Sequence, residues 1–561
     1  MLKPITKKIK TKSDVLKSLT MRDFSGGWNI LDDELNLDPK YCVNSKNIIA
    51  GSDNCPTTRY GVRLFCDGSL YFSGGTERII NMEFFNTALI VVGGNGEILK
   101  IDANGSATVI WNLAKASALP GSPAPWGTTT FASFAQFNGE LIICNGTDKP
   151  LVVHTNFTVE YLYDVATGSN LNVPICKYVT VCSRYMVMAG DPLYPNRVHI
   201  SSKDTSGTWY GDPAPNDGTY IDVGSILNNA SIIRGITGFR GKLVVAYAEG
   251  SVIGTLDIYD VDGNHTPDFN EAVEQYGAVS HRTLVSYGDD MLMLDLVGVP
   301  SLKRTVFTGT LKPERVSDLI DSRMASLMQN LSFLTLEDHT FAIYNQRQGQ
   351  FMFFIPNDDL AEDTTETEGF AFTYRPSLKI SRWSSLRGWN WTCGCRSLAG
   401  RIFFGDKQGK IWIYGDELDP ISVDYLDDPT VNSGSGEPIE FVYETPWLDI
   451  NKRFKTKTSK YIGFDCRGDA QFTCEMYVDR YLKDSNGDDA PALSTDFYGA
   501  SPAGFGNGPQ PYGGGLNTSN EQLYSWPAKF MLAKIKLRGL VTETLKIVSI
   551  SMHYQDGGIN R

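Results

Sequence analysis

A chain of 561 residues that is 42% hydrophobic and only 20% charged can bury large cores, which excludes a disordered protein. A net charge of −13 argues against a protein that grips nucleic acid by neutralising phosphates, because such binding faces are basic. No window approaches about 18 consecutive apolar residues, so no membrane-spanning helix is expected.

In chain order, residues 1–22 form a Lys-rich arm. It reads either as a frayed terminus or as a segment that orders against a partner. The basic start MLKPITKKIKTKSDVLK lacks the apolar run of about 7–15 residues that a secretory leader needs. The ten scattered cysteines are therefore expected as reduced structural thiols. Cys393-Gly-Cys395 has the wrong spacing for a zinc knuckle.

From Asp23 to Pro420 one theme recurs: a short apolar strand, a Gly-containing turn, another strand. ALIVVGGNGEILKIDANG (88–105) shows it first, and FNGELIICNGTDKPLVVH (137–154) repeats it. Segments 239–256, 287–302, 344–356 and 398–417 follow the same plan. Asn-Gly between alternating hydrophobics is a strong hairpin signal. Each hairpin would be half of a four-stranded blade, which points to a radial array. The repeat is too degenerate to count blades. The clearest helix is Ser317–Leu331, with Ser317 as its cap and one apolar face. Polar insertions at 260–274, 356–369 and 498–520 read as long loops. After Pro420 the pattern changes to longer alternating strands at 439–450, 457–468, 469–479, 528–540 and 545–558. The expected fold is all-β: a β-propeller-like main domain over 23–420 and a smaller antiparallel β-sandwich over 421–561.

Catalytic signatures are scarce. There is no phosphate-binding GxxxxGK[ST], no GxSxG elbow and no HExxH. In DVDGNHTPDFNE (260–271), Asp260, Asp262, Asn264 and Glu271 fall at places one, three, five and twelve of a calcium loop, with Asp268 at nine. His265 occupies the sixth place, which needs Gly, so a solvated acidic loop is the competing reading. A glycosidase could hide its carboxylate pair among residues such as Asp222, Asp295 and Asp406, although hairpin turns use Asp for their own geometry. The aromatic groups Trp383, Trp389, Trp391, Trp412 and Tyr414 read as blade cores or as a sugar-stacking platform. No cofactor is expected.

The stretch FSGGWNILDDELNLDPKYCVNSKNIIAGSDNCPTTRYGVRLF (24–65) resembles the start of the tail nozzle or tail hub proteins of short-tailed bacteriophages. That family opens on [FY]xGG-[IVW]-N, continues through an acidic stretch and an Asn-bearing strand, and reaches R-x-G. The matching residues are Phe24, Gly26, Gly27, Asn29, then Asn47, then Arg59 and Gly61. NGTDKPLVV (145–153), PNRVHISSKDTSGTWY (195–210), ITGFRGKLVVAYAEGSVIGTL (236–256), GAVSHRTLVSYGDDMLMLDLVGVPSL (277–302), PWLDI (446–450) and MHYQDGGINR (552–561) are similar to later family segments in the same order. Ala246 stands where the family has an aromatic, and the Gly-rich 500–516 stretch matches no family pattern.

The resemblance implies a non-catalytic virion protein, made in the host cytoplasm and built into the phage tail. It implies a homohexameric ring below the portal and its adaptor, with tail fibres or spikes as further partners. That ring conducts DNA during ejection without binding it specifically, and it helps retain the packaged genome. Six copies at −13 place roughly −78 on the ring, which would repel a strand within a Debye length. The candidate channel-lining residues are Asp358, Asp359, Glu362, Asp363, Glu366 and Glu368. The candidate assembly positions are Phe24, Gly26, Gly27, Asn29, Arg59 and Gly61. The rival expectations are a carbohydrate-binding or carbohydrate-cleaving propeller at the host surface, and a monomeric interaction propeller with a host peptide partner.

Overall fold

Tight left-handed turns set the basic unit. Asn138 and Gly139 take φ of 52° and 80°, and Arg240 and Gly241 take 52° and 75°. Two successive positive φ values make the turn whose twist matches the flanking strands. The structure, a computed structural model, describes residues 16–51, 54–119, 124–163, 172–209, 218–224, 226, 232–261, 265–287, 290–302, 315–357, 367–415, 426–428, 436–450, 453, 455–467, 470–479, 491–498, 522–541 and 544–559.

The hairpins extend into antiparallel sheets in sequence order. Blade one is Ile79–Phe85, Ala88–Gly93, Ile98–Ile101 and Ala107–Trp111. Blade two is Ser133–Phe137, Glu140–Cys144, Leu151–Val153 and Val159–Tyr161. Blade three is Tyr178–Cys182, Tyr185–Ala189, Arg197–Ile200 and Thr219–Asp222. Blade four is Gly235–Phe239, Lys242–Ala246, Ser251–Thr255 and Asp268–Val273. Blade five, among the described residues, has the strands Val285–Tyr287 and Asp290–Leu292 plus the bridges Leu292–Ser301 and Pro300–Arg315. Blade six is Phe341–Asn345, Gln350–Pro356, Thr367–Arg375 and Ile380–Trp389. Blade seven, Trp391–Arg396, Ile402–Asp406 and Lys410–Tyr414, takes its outer strand, Val62–Asp67, from far earlier in the chain.

The first strand of each blade lies innermost. That of blade one packs against its counterparts in blades two and seven, which closes a ring of seven positions. The chain is an all-β propeller. Runs such as Leu89–Val92 and Leu141–Cys144 are buried along their whole length because blades stack face to face.

The sandwich draws on both ends of the chain. One sheet runs Leu493–Tyr498, Ala470–Val478, Ala533–Val541, Glu437–Glu444 and Asn44–Lys46. The other runs Gln522–Ser525, Lys455–Arg467 and Lys546–Ile559, with Leu16–Met21 pairing along the last of these. Phe441, Phe464, Cys474, Ile535, Ile547 and Met552 fill the space between them. The expected boundaries shift accordingly. Leu16–Met21 is not a free arm but a strand in register with Ile550–Gln555. Asn44–Lys46 and Ile48–Ala50, expected within the propeller, join the sandwich sheets, and Pro56–Thr58 joins them with a single rung to Lys546. Residues 1–15 lie outside the described part.

Three α-helices are described along their whole length, α1 (Leu113–Ser117), α2 (Asp321–Gln329) and α3 (Phe333–His339), together with three short 3-10 turns. α2 lies inside the expected 317–331 helix but starts later. Ser317 Oγ accepts from Val299 N at 2.6 Å and donates to Asp321, so it anchors the preceding turn instead of capping.

Candidate functional site

The six candidate assembly positions converge on one seam, where the first segment meets blades six and seven and the sandwich. Arg59 is 1% exposed. Its guanidinium donates two parallel hydrogen bonds to Asp427 at 2.9 and 2.7 Å and one to Asn47 Oδ1 at 3.1 Å. It lies 3.9 Å over the Trp389 ring of blade six. Asn47, with φ of 56°, extends the link by donating to Glu440 O at 2.8 Å and accepting from Arg387 N at 2.8 Å. One planar cation thus ties four segments together, a geometry that Arg supplies and Lys does not.

The other motif residues surround it. Phe24 is 2% exposed and meets Tyr443 edge-on at 6.0 Å. A Cβ on Gly26 would sit 2.4 Å from the Tyr41 ring. Gly27 has φ of +71°, and a Cβ there would sit 2.5 Å from Arg382 Cβ. Buried Asn29 accepts from Leu31 N and Asp32 N, which folds the start of the acidic stretch back on itself. Gly61 O accepts from Gly415 N at 3.1 Å beside the closing strand. The expectation that these positions form assembly surface is corrected: all six serve the inside of one chain, and Phe24, Asn29 and Arg59 are buried.

Glu368 needs the same correction. It is 0% exposed and accepts from Arg323 at 2.6 Å and Arg387 at 2.9 Å, so it bridges α2 to blade six and lines no channel. Asp358, Asp359, Glu362, Asp363 and Glu366 lie outside the described residues. In the calcium-loop segment, Asp262 and Asn264 also lie outside them. Glu271 sits on the outer strand of blade four and pairs with Lys242. The flanks of 260–271 are a bridge, Tyr259–His265, and that strand, whereas a calcium loop of this type needs helices. His265 stacks on Tyr185 at 4.8 Å. Much of the expected 260–274 loop is therefore sheet.

The aromatic groups are interior. Trp383, Trp389, Trp391 and Tyr414 are each at most 5% exposed, which leaves them no face for a sugar, and Trp412 is half-buried with its ring nitrogen donating to Asp406. Asp406 accepts from Gln408 N, Lys410 N and Trp412 Nε1, and Asp295 accepts from Val297 N and Gly298 N. Both perform turn work. None of the ten cysteines forms a disulfide, and burial pushes Cys393 up to about 11 and Cys42 up to about 12.

A second cluster was not anticipated. α3, N-capped by Ser332 accepting from Thr335 N at 3.2 Å, ends in Glu337, Asp338 and His339 just before the inner strand of blade six. Glu337 accepts from Lys177 at 3.0 Å, Arg234 at 2.5 Å and the Tyr178 hydroxyl. Asp338 accepts from Lys177 at 2.8 Å. Arg282 donates to the Asp338 carbonyl, to Ile80 O at 2.8 Å and to Thr392 O at 3.3 Å. Arg78 meets the His339 ring. These partners come from blades one, three, four, five and seven, so α3 sits at the ring's centre. It closes one end of the axis with a charged stopper.

At least four cations face two carboxylates there. Burial, with Arg78 and Arg282 alongside, pushes His339 down to about 2, so it adds no charge. Burial and Arg282 hold His281 down at about 4. Burial also lowers Arg282 and, with Glu337, raises Tyr178 well above its usual range. Phe131 lies under Lys177 at 4.7 Å and Arg282 at 5.4 Å, which offsets part of their lost hydration. The signal was positional: Arg78, Lys177 and Arg234 each stand immediately before or at the start of an inner strand.

Pairing within the chain defines the class: a closed seven-position β-propeller carrying a two-sheet sandwich. No family model and no curated protein matches the sequence. Among solved structures, the chain is similar to the WD40 β-propeller domain of Doa1, with TM-score 0.37, 9% identity, and 64% of this chain and 98% of that one covered. It is also similar to a streptogramin B lyase, with TM-score 0.38, 11% identity, and 63% and 97% covered. A third similar structure is PorZ of Porphyromonas gingivalis, with TM-score 0.36, 10% identity, and 66% and 42% covered.

Proposed function

We propose that the protein is a structural subunit of a short-tailed phage tail, a nozzle or hub ring that forms below the portal and adaptor and conducts DNA without catalysis. The observation that carries this reading is the seam. The opening motif, which resembles that family, falls on buried residues that pack the sandwich against the propeller, not on a reactive pocket. A wall segment that must keep its shape under load needs such a joint. The acidic balance of −13 suits a conduit, because each cationic contact with phosphate would add counterion-linked attraction and retard the strand.

The test is assembly. Mixed with its adaptor and examined by native mass spectrometry and particle imaging, the chain is expected to form a six-fold ring of six 62.0 kDa subunits, about 372 kDa. A chain that stays monomeric beside its adaptor overturns the reading.

A further inference from the structure

Blade three brings three different metal-binding side chains to one end. Cys176 lies two residues before the inner strand, and Asp191 lies two residues after the second strand. The register that pairs Tyr178 with Ala189 carries on through the Lys177 N to Gly190 O bond and sets Cys176 level with Asp191. His199, on the third strand opposite Met188, completes the group. Its sulfur, carboxylate and imidazole atoms all lie within 4.8 Å of one another, and all three residues are buried.

We propose that Cys176, Asp191 and His199 bind one zinc ion that clamps the mouth of blade three. Ligands at zinc distances on a tetrahedron lie roughly 3.3–3.8 Å apart. His199 Nε2 and Asp191 Oδ2 stand 3.1 Å apart as a hydrogen-bonded pair, a spacing that an ion between them would widen only by a few tenths of an ångström. A thiolate, an imidazole and a carboxylate together favour zinc over the hard cations that take oxygen alone. The surroundings hold the ligands in place. Asp191 Oδ1 accepts from Leu193 N at 2.8 Å, and the Tyr220 ring lies 6.5 Å from the His199 ring. One thiolate and one carboxylate balance the charge of the ion. On binding, the Cys176 thiol loses its proton to solvent, so affinity rises with pH.

The test uses the full chain, stripped with chelator and titrated with Co²⁺, then Zn²⁺. One equivalent of Co²⁺ is expected to produce a thiolate-to-cobalt charge-transfer band in the near ultraviolet, and one equivalent of Zn²⁺ to abolish it. Cys176→Ser should remove the band although nine cysteines remain, and His199→Gln should raise the zinc dissociation constant by more than about 100-fold, since a lost ligand costs at least as much as a lost outer partner. If either variant fails to fold, the unmodified chain still decides the matter through its stoichiometry and through a thermal midpoint that rises on zinc addition. Sub-stoichiometric binding without the band, or a band that survives in folded Cys176→Ser, overturns the proposal.

Discussion

Blades two and three meet through apolar side chains, whereas the seam between blade six and the sandwich adds a buried cation to a shared apolar core. Ile142, Cys144 and Val152 pack directly on Val179, Met186 and Met188, all buried. At the other seam, Phe370 and Trp383 of blade six share one apolar cluster with Phe24, Trp28 and Tyr443, and Arg59 crosses it by pairing with Asp427 and lying over Trp389. The difference follows from what is being joined. One blade stacks on a near copy of itself, and non-directional apolar contact with repeated shape suffices. Propeller and sandwich are unlike surfaces, and charge-assisted bonds impose the direction that apolar contact lacks.

The strongest way to break this comparison is Arg59→Ala. Removing one partner of a buried pair costs about 3–5 kcal/mol. The loss is expected to separate a sandwich transition from a propeller transition in calorimetry. Met186→Ala, which opens a cavity at the apolar interface, should cost about 2–5 kcal/mol yet leave the propeller unfolding as one unit. If Arg59→Ala merely lowers a single transition, the buried cation is not what couples the two parts. Arg59→Lys restores the charge without the forked geometry and should recover only part of the loss.

Glu337→Gln tests the axial cluster with a smaller effect. The amide keeps the shape but leaves Lys177 and Arg234 short of an anion, for a cost of about 1–3 kcal/mol in urea unfolding. An unchanged midpoint would mean that the cations on the axis do not need their carboxylate.

Acid should act on the same cluster. His281 and His339 are held neutral in the fold, at about 4 and about 2, while the unfolded chain titrates near the ordinary value of about 6.5. Below about pH 6.5 the unfolded chain therefore binds more protons than the folded one. Stability falls as pH falls from there toward 4, by roughly 1.4 kcal/mol per pH unit for each imidazole. His281→Gln and His339→Gln should each flatten the slope of the unfolding free energy between pH 6.5 and 5 by about one proton. A slope that neither variant changes would show that these rings do not titrate across folding.

What the sequence disclosed follows from how local each signal was. Hairpins with Asn-Gly or Arg-Gly at the turn were legible, since Gly at positive φ leaves a mark in the chain. Blade three was not, because its hairpin turns on Ser183 and Arg184, with φ of 49° and 73° and no Gly. The turn is held by contacts made in three dimensions: Ser183 Oγ donates to Gly241 O at 2.9 Å, and Arg184 pairs with Asp204. Blade number was hidden because the closing strand Val62–Asp67 is remote in sequence from the blade it completes. The seam residues were visible as a motif, but their role was not: burial of Arg59 depends on Asp427, 368 residues away. The axial cluster gathers residues from six blades, and each of its pairs joins segments far apart in the sequence.

The smallest effect is also the sharpest check on how charges are used here. Lys242 and Glu271, on the second and fourth strands of blade four, pair across the third, with side chains 43% and 44% exposed. Water screens both charges, and holding two long side chains together offsets most of their attraction. Lys242→Ala should leave the thermal midpoint unchanged within error, unlike any variant at the buried seam. The same substitution bears on calcium. If Glu271 were a ligand of the 260–271 segment, freeing it from Lys242 would expose its carboxylate to the ion and make the midpoint rise with added Ca²⁺. With Glu271 on a strand, no such response is expected. A calcium-dependent rise in Lys242→Ala would show that this surface pair competes with a metal, and would remove the distinction between charges that fasten the fold and charges that only face solvent.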